Sequence, residues 1–216
     1  MSRGKANAST GALSRAAAFR LSQYLRCIPA TPLATVSSGQ LAETVGVSDA
    51  QVRRDLAAVG HQGQRGIGYD AEALSHAIRK TLGIHRPWRA ALVGTGNLAR
   101  ALLRYKGFQK QGFDLVGLFD IDPAKIGTSI EGITVSSLDS LSQRVKALKA
   151  ELGVITVPAE AAQGVADQLV AAGVKGLLNF APTLVKVPPR VSLVSVDLSI
   201  QFEQLAFQVG LSPTEK

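Results

Sequence analysis

Apolar positions along this chain keep two different spacings, and the change between them divides it. From Leu13 to Ile28, Ala17, Leu21, Tyr24, Leu25 and Ile28 recur at helical spacing. They predict one amphipathic helix, which Pro29 and Pro32 end. Two short helices follow with clear start signals. Ser37-Ser38-Gly39-Gln40 and Ser48-Asp49-Ala50-Gln51 each place Gln three residues after a capping Ser, the spacing of a capping box. Leu41 and Val45 face inward on the first helix; Val52, Leu56 and Val59 do so on the second. Val45-Gly46-Val47-Ser48 is then the short Gly-containing turn of a helix-turn-helix. The run from Gly60 to Tyr69 is rich in glycine, with Arg65 near its tip, and has the look of a β-wing. Asp70 is placed to cap a further helix over Ala71–Leu82, and Gly83–Trp88 reads as a linker.

Beyond the linker strands and helices alternate. Strands are predicted at Ala90–Gly94, Leu115–Asp120, Ile133–Val135, Gly153–Val157, Gly176–Phe180 and Leu193–Val196, with helices over 97–106, 138–150 and 160–172. This is the order of an α/β domain built on a parallel sheet. The last segment, Ser199–Val209, sets Ile200, Phe202, Leu205, Ala206 and Val209 at mixed spacing and is apolar on much of its surface. A terminal helix of that kind packs on something, often a second subunit. The expected organisation is a disordered tail over 1–11, a winged helix-turn-helix domain over 12–85, a Rossmann-type domain over 86–198 and a dimerisation helix over 199–216.

Composition changes this picture at one point only. With 216 residues, 46% hydrophobic and 19% charged, the chain has the make-up of an ordinary globular protein. No run approaches a membrane span and the N-terminus lacks a secretory apolar region. The single cysteine, Cys27, excludes a disulfide framework and fits a reducing cytoplasm. His61, His76 and His85 match no metal-ligand spacing, so no metal is expected. The charge is what is uneven. Residues 1–86 hold 11 Lys or Arg against 5 Asp or Glu, whereas residues 87–216 hold 13 against 11. A basic first part joined to a nearly neutral second part points to a polyanion as partner of the first. Gln51, Arg53 and Arg54 lie off the apolar stripe of the second short helix. Laid in a major groove, that helix would bring them to bases and phosphates, with Arg65 reaching the minor groove from the wing.

The second part carries a different chemistry. The strand Ala90–Gly94 runs into Gly94-Thr95-Gly96-Asn97-Leu98-Ala99, a Gly-x-Gly-x-x-Ala turn that opens a helix, as a dinucleotide fingerprint requires. Gly94 allows the tight turn, Gly96 lets the backbone approach a pyrophosphate, and Ala99 lets helix and strand pack closely. Phosphates are expected at the helix N-terminus, where N–H groups and the helix dipole favour anions. The strand Leu115–Asp120 ends in a carboxylate suited to the ribose hydroxyls of NAD and repelling the 2′-phosphate of NADP. Asp122 competes with Asp120 for that role.

Taken together the chain resembles the Rex family of bacterial redox-sensing transcriptional repressors. The likeness is carried by Arg20-Leu21-x-x-Tyr24-Leu25-Arg26, Val52-Arg53-Arg54-Asp55-Leu56, Arg65-Gly66-Ile67-Gly68-Tyr69, the Gly94–Ala99 turn, Phe119-Asp120-Ile121-Asp122-Pro123, Thr156-Val157-Pro158, Leu178-Asn179-Phe180-Ala181-Pro182 and Val196-Asp197-Leu198. The resemblance implies a homodimer that binds double-stranded DNA at an inverted-repeat operator, senses NADH against NAD⁺ and releases the operator when NADH binds. It implies a C-terminal helix exchanged between subunits. It places cofactor contacts at Gly94, Thr95, Gly96, Asn97, Leu98, Ala99, Val157, Pro158 and Asn179, with Phe180 beside the nicotinamide. Arg26, Tyr105 and Asp197 match residues that form alternative inter-domain contacts in the DNA-bound and NADH-bound states. One departure stands out: relatives commonly have Ser-Tyr-Phe-Gly after the recognition helix, whereas this chain has Ala57-Ala58-Val59-Gly60 and loses both aromatics.

The rival reading is an NAD-dependent oxidoreductase with an accessory DNA-binding domain. It would need an acid or base near the nicotinamide and a substrate domain. Tyr105 lacks the lysine four residues on that short-chain dehydrogenases use, position 109 being Gln, and none of the three histidines lies beyond the linker. A CoA-binding domain shares a similar fold, against which a ribose-facing Asp120 argues. The expectation is a sensor without catalysis. NADH and NAD⁺ differ by one positive charge on the nicotinamide, and an apolar pocket around Phe180 penalises the charged ring by desolvation.

Overall fold

The computed structural model describes residues 13–28 and 34–211. The tail expected over 1–11, the stop signals Pro29 and Pro32 and the end of the dimerisation segment lie outside them. The chain divides into two compact units, Met1–Arg86 and Pro87–Lys216.

The first unit is helical. Helix α1 (Arg15–Cys27) starts where the Ser14 hydroxyl accepts a hydrogen bond from Ala17 N. Its positions Leu21 and Tyr24 are fully buried. Helix α2 (Ser38–Val45) has the complete capping box: Gln40 N donates to Ser37 Oγ and Ser37 N donates to Gln40 Oε1, at 3.1 and 2.8 Å. Helix α3 (Asp49–Ala58) has only half of one. Gln51 N donates to Ser48 Oγ at 3.2 Å, but the Gln51 side chain turns away to Asp55. The spacing was right and a buried carboxylate outcompeted the cap. Leu41, Val52 and Leu56 join Leu21, Tyr24, Leu74 and Ile78 in one core, with Val45 and Val59 half-buried at its margin. Asp70 caps helix α4 (Ala71–Thr81), accepting from Ala73 N at 2.7 Å.

Two strands of two residues, β1 (Thr35–Val36) and β2 (Tyr69–Asp70), pair antiparallel beside these helices. They are too short to leave an alternating pattern in the sequence. The wing is correspondingly small, a turn closed by one antiparallel bridge between Gln64 and Gly68. Gly68 has φ +96°, and a Cβ there would meet Val36 O at 2.6 Å, so a side chain would push the wing off β1.

The second unit is a seven-stranded sheet in the order β5-β6-β4-β3-β7-β8-β9. Its strands are β3 (Trp88–Val93), β4 (Phe113–Asp120), β5 (Ser129–Ile130), β6 (Ile133–Ser137), β7 (Leu152–Ile155), β8 (Gly176–Asn179) and β9 (Ser192–Ser195). All are parallel except β5, an antiparallel edge hairpin with β6. The six parallel strands, taken in chain order, run 3-2-1-4-5-6, the doubly wound arrangement of dinucleotide-binding folds. Helices α5 (Asn97–Arg104), α7 (Leu141–Ala147) and α8 (Ala159–Ala172) cover the two faces, and α6 (Gly107–Lys110) is a single turn. The period of two along β3 shows why both faces are covered. Ala90 and Leu92 pack with Ala99 of α5, Leu118 and Val135, while Ala91 and Val93 pack with Leu141, Val145, Val165 and Leu169. The helix expected over 138–150 opens as a 3₁₀ turn (Leu138–Ser140) and stops at Ala147, before Lys149 at φ +50°. The final helix, α9 (Leu198–Leu211), leaves Leu198, Phe202, Leu205, Phe207 and Val209 more than half exposed. No helix among the described residues is long and apolar enough to cross a membrane.

Candidate functional sites

Strands β3, β7 and β8 end before Gly94, Val157 and Phe180, so all three residues stand in turns at the carboxyl edge of the sheet. The strand order reverses between β3 and β7, and ligands of open α/β sheets bind in the crevice at that point. Gly94 has φ +92°, and a Cβ on it would meet Thr156 O at 2.7 Å and Val157 Cγ1 at 2.9 Å. No side chain fits there. The Thr156 hydroxyl reaches across from β7 to donate to Gly94 O at 2.7 Å and Val93 O at 3.0 Å, which ties the turn to the neighbouring strand. Gly96 begins α5 without a side-chain cap, and no atom lies within 4 Å of where its Cβ would be. The first-turn N–H groups of a helix have no carbonyl inside it to accept them. An uncapped, open helix start of this kind fits a pyrophosphate. Asn97 and Leu98 are exposed on that first turn, and Ala99 is buried under it.

Asp120, at the end of β4, is 7% exposed and holds this turn from the other side. Its Oδ2 accepts from Thr95 N at 2.8 Å, Thr95 Oγ1 at 2.5 Å and Lys125 Nζ at 3.2 Å. Its Oδ1 accepts from Asp122 N at 3.0 Å. Burial alone would push this carboxyl up. The hydrogen bonds from the Thr95 side chain, the Asp122 and Thr95 backbones and Lys125 outweigh burial and hold it well below the usual carboxylate range. Most of its lone pairs are therefore engaged within the protein. Asp122, half-exposed, accepts from Ala124 N at 3.0 Å and lies 3.7 Å from Lys125 Nζ. Thr95 is itself buried, and both its hydroxyl and its backbone N–H serve Asp120.

On the far side of the crevice Asn179 is fully buried and builds the turn that follows β8. Its Nδ2 donates to Ala181 O and Thr183 O at 3.2 and 3.0 Å, and its Oδ1 accepts from Ala181 N at 2.9 Å. Phe180, presented by that turn, is half-buried against the core face lined by Leu92. Val157 is half-buried, and Pro158 is exposed at the start of α8.

In the first unit, the exposed face of α3 carries Arg53 and Arg54. Arg53 forms an ion pair with Asp49 and donates to Ser38 Oγ at 3.4 Å. Arg54 donates to Gln51 Oε1 at 2.7 Å. Behind them lies a buried cluster to which sequence reasoning gave no role. Asp55 accepts from Arg20 Nε and Nη2 at 2.6 and 2.8 Å, from Tyr24 OH at 2.9 Å and from Gln51 Nε2 at 2.9 Å. The sequence signal was an acid on the apolar side of α3, one helical turn from Val52 and adjacent to Leu56. Arg65 is exposed in the wing turn beside Ile67.

Of the remaining expected residues, Arg26 donates to Ser22 O of its own helix at 2.6 Å. Tyr105, 62% exposed at the end of α5, meets Phe108 edge-on with ring centroids 5.2 Å apart. Asp197 accepts from Ser199 N at 2.9 Å and so caps α9.

Two family models match the chain: one for a DNA-binding protein N-terminus over residues 12–57 and one for a CoA binding domain over 85–183. The second is the fold set against NAD above on the strength of Asp120. The Asp120 carboxylate, turned into the protein, does not separate the two ligands. The redox-sensing transcriptional repressor Rex of Desulfitobacterium hafniense is 48% identical over 88% of this chain and 90% of its own length. That of Rhodopirellula baltica is 44% identical over 91% and 84%. Among solved structures, RSP in complex with β-NAD⁺ and operator DNA superposes with a TM-score of 0.86 at 34% identity, covering 92% of this chain and 93% of that one. RSP in complex with β-NADH gives 0.81 at 32%, covering 92% and 95%.

Proposed function

The chain belongs to the Rex family of redox-sensing transcriptional repressors, and from that premise we propose that it is an NADH-sensing repressor and not an enzyme. It binds operator DNA through its first unit and NAD(H) through its second, and NADH releases the operator. The observation that carries this reading is the turn Gly94-Thr95-Gly96. Clamped by Asp120 and Thr156 at the reversal of strand order, it presents an uncapped helix start to an anionic ligand. RSP, over nearly the same length of chain, is described with operator DNA, with NAD⁺ and with NADH, and this supports assigning both ligands here.

Within this proposal the free N–H groups from Gly96 to Leu98 take the pyrophosphate, Gly94 and Thr95 shape the turn that presents them, and Ala99 keeps α5 close to β3. Asp120 holds the turn, which leaves Asp122, with Lys125 beside it, as the carboxylate open to the adenine ribose. Val157, Pro158 and Phe180 form the apolar side near the nicotinamide, and Asn179 fixes their turn. When bound, the cofactor supplies a nicotinamide whose charge and ring planarity change with its redox state. An apolar surface of this kind disfavours the charged ring. The apolar surface of α9 supports a homodimer in which this helix packs on a second copy, and a two-fold dimer matches an inverted-repeat operator. Arg53, Arg54 and Arg65 form the DNA-facing set, with Gln51 bonded to Arg54 on the same helix, and Arg26, Tyr105 and Asp197 the contacts that distinguish the two states. Such a repressor works in the cytoplasm, where the DNA is. Isothermal calorimetry with NADH, NAD⁺, NADPH and CoA tests the assignment: NADH is expected to bind most tightly. CoA as the preferred ligand would contradict it.

A further inference from the structure

The side-chain amide of Gln51 is held at both ends. Its Nε2 donates to Asp55 Oδ1 at 2.9 Å and its Oε1 accepts from Arg54 Nη2 at 2.7 Å. Charge fixes this orientation. An ionised carboxylate only accepts and a guanidinium only donates, so an inverted amide would set oxygen against oxygen and N–H against N–H. Asp55 is itself immobile. It is 5% exposed, and Arg20 grips it with two nitrogens while Tyr24 donates to it from a fully buried position. Four donors fill its two oxygens. Burial, and then the hydrogen bond to Asp55, push the Tyr24 phenol up to about 12, so it stays a donor at any neutral pH.

A glutamine that reads adenine uses both ends of its amide against one base edge, accepting from N6 and donating to N7. In Gln51 the donating end is turned inward to Asp55. Arg54 keeps four of its five N–H groups beyond the one given to Gln51, which suffices for a two-pronged contact to a guanine edge. A free arginine loses considerable rotamer freedom when it docks, and an arginine already held loses less.

We propose that Gln51 is a positioning residue and not a base reader: with Asp55, Arg20 and Tyr24 it forms a rigid chain from the core of the first unit that aims Arg54 at the base it reads. Arg53, paired with Asp49 and Ser38, stands outside this chain. The proposal rests on the reading of α3 as the DNA-facing helix.

The test compares wild type, Gln51→Met, Arg54→Ala and the double variant on an inverted-repeat duplex selected by the wild-type protein. Each is measured on every single base-pair substitution of that duplex and on a random duplex. Methionine keeps the length and helix preference of glutamine without either hydrogen bond. Arg54→Ala is expected to relax discrimination at one base pair of each half-site by about 5- to 150-fold. Gln51→Met should relax discrimination at that same base pair by a smaller factor, and the double variant should match Arg54→Ala alone. Affinity for the random duplex, made by phosphate contacts, should stay at the wild-type value in Gln51→Met, which reports an intact fold. If that affinity falls, Gln51→Ala replaces it with the same expected pattern. Relaxation at a different base pair, or losses that multiply in the double variant, would overturn the proposal while leaving α3 as the reading helix. A wild-type protein with no preference among duplexes, or an Arg54→Ala protein with unchanged preference, would overturn the reading of α3 and the proposal with it.

Discussion

At the scale of single residues, the two buried carboxylates do most to fix the sites, and each does so by consuming its own hydrogen-bonding capacity. Asp120 closes the Gly94–Gly96 turn, so Asp120→Ala is expected to weaken NADH and NADPH alike by loosening the turn. Asp122→Ala is expected to lessen discrimination between them; calorimetry on both variants separates the roles. An Asp120→Ala protein that keeps NADH affinity and gains NADPH affinity would reverse this assignment. Both Asp55 and Asp120 are held below the usual carboxylate range, against the opposing effect of burial, by hydrogen bonds chiefly from Arg20, Gln51 and Tyr24 in the first case and Thr95 in the second. A depressed carboxyl contributes stability that is present above the unfolded value near ~3.9 and is lost as pH falls through the folded one. Acid unfolding monitored by circular dichroism should therefore steepen below about pH 4, and Asp55→Asn should flatten that limb. Asp55→Ala leaves the buried Tyr24 hydroxyl and the Gln51 amide without their acceptor, so it should lower the thermal midpoint even at pH 7. Gly94, Gly96 and the competing carboxylates were legible in the sequence because motif spacing marks them. The hydrogen bonds of Asn179, Thr156 and Lys125 were not, since nothing in a sequence says which polar group faces which once strands are stacked.

At the scale of elements, the long periodic segments declared themselves and the short ones did not. The six parallel strands and the major helices follow from alternation and helical spacing. The two-residue strands β1, β2 and β5 exist because a neighbour offers hydrogen bonds, and the four-residue α6 is a single turn closed by its own, so neither leaves a periodic trace. Strand ends were set one or two residues too late at Gly94, Val157 and Phe180 because apolar residues there belong to the crevice turns and still continue the strand pattern. The turn after β3 carries a sharp prediction. Gly94→Ala adds a methyl group at φ +92°, within 2.7 Å of Thr156 O. Forcing such a position costs roughly 1–3 kcal/mol in backbone strain alone. NADH affinity measured by fluorescence should fall at least about tenfold while operator affinity without cofactor is retained. Helix α9 carries another. Its exposed Phe202 and Leu205 are expected to be covered in a dimer, so a Phe202→Asp, Leu205→Asp double variant should sediment as a monomer under conditions where the wild type sediments as a dimer. Equal sedimentation would remove α9 from the interface.

At the scale of the whole molecule, the uneven charge read from the sequence acquires a purpose. The basic first unit meets a polyanion, and arginines that contact only phosphate contribute without regard to sequence. Arg53→Ala should weaken binding to all duplexes alike, reducing the slope of log affinity against log salt by about one. Sensing requires that NADH favour one conformation of the protein over another, since a ligand shifts an equilibrium only by its differential affinity. Coupling of this kind is typically ~1–3 kcal/mol. Arg26→Ala and Tyr105→Phe should bind operator and NADH separately yet release the operator poorly when NADH is added. The most direct measurement is a titration of the wild-type protein onto an inverted-repeat operator at fixed salt, without cofactor, with NAD⁺ and with NADH. The account predicts an operator affinity that is kept with NAD⁺ and falls about 5- to 150-fold with saturating NADH. An affinity that NADH leaves unchanged, or lowers no more than NAD⁺ does, would contradict it.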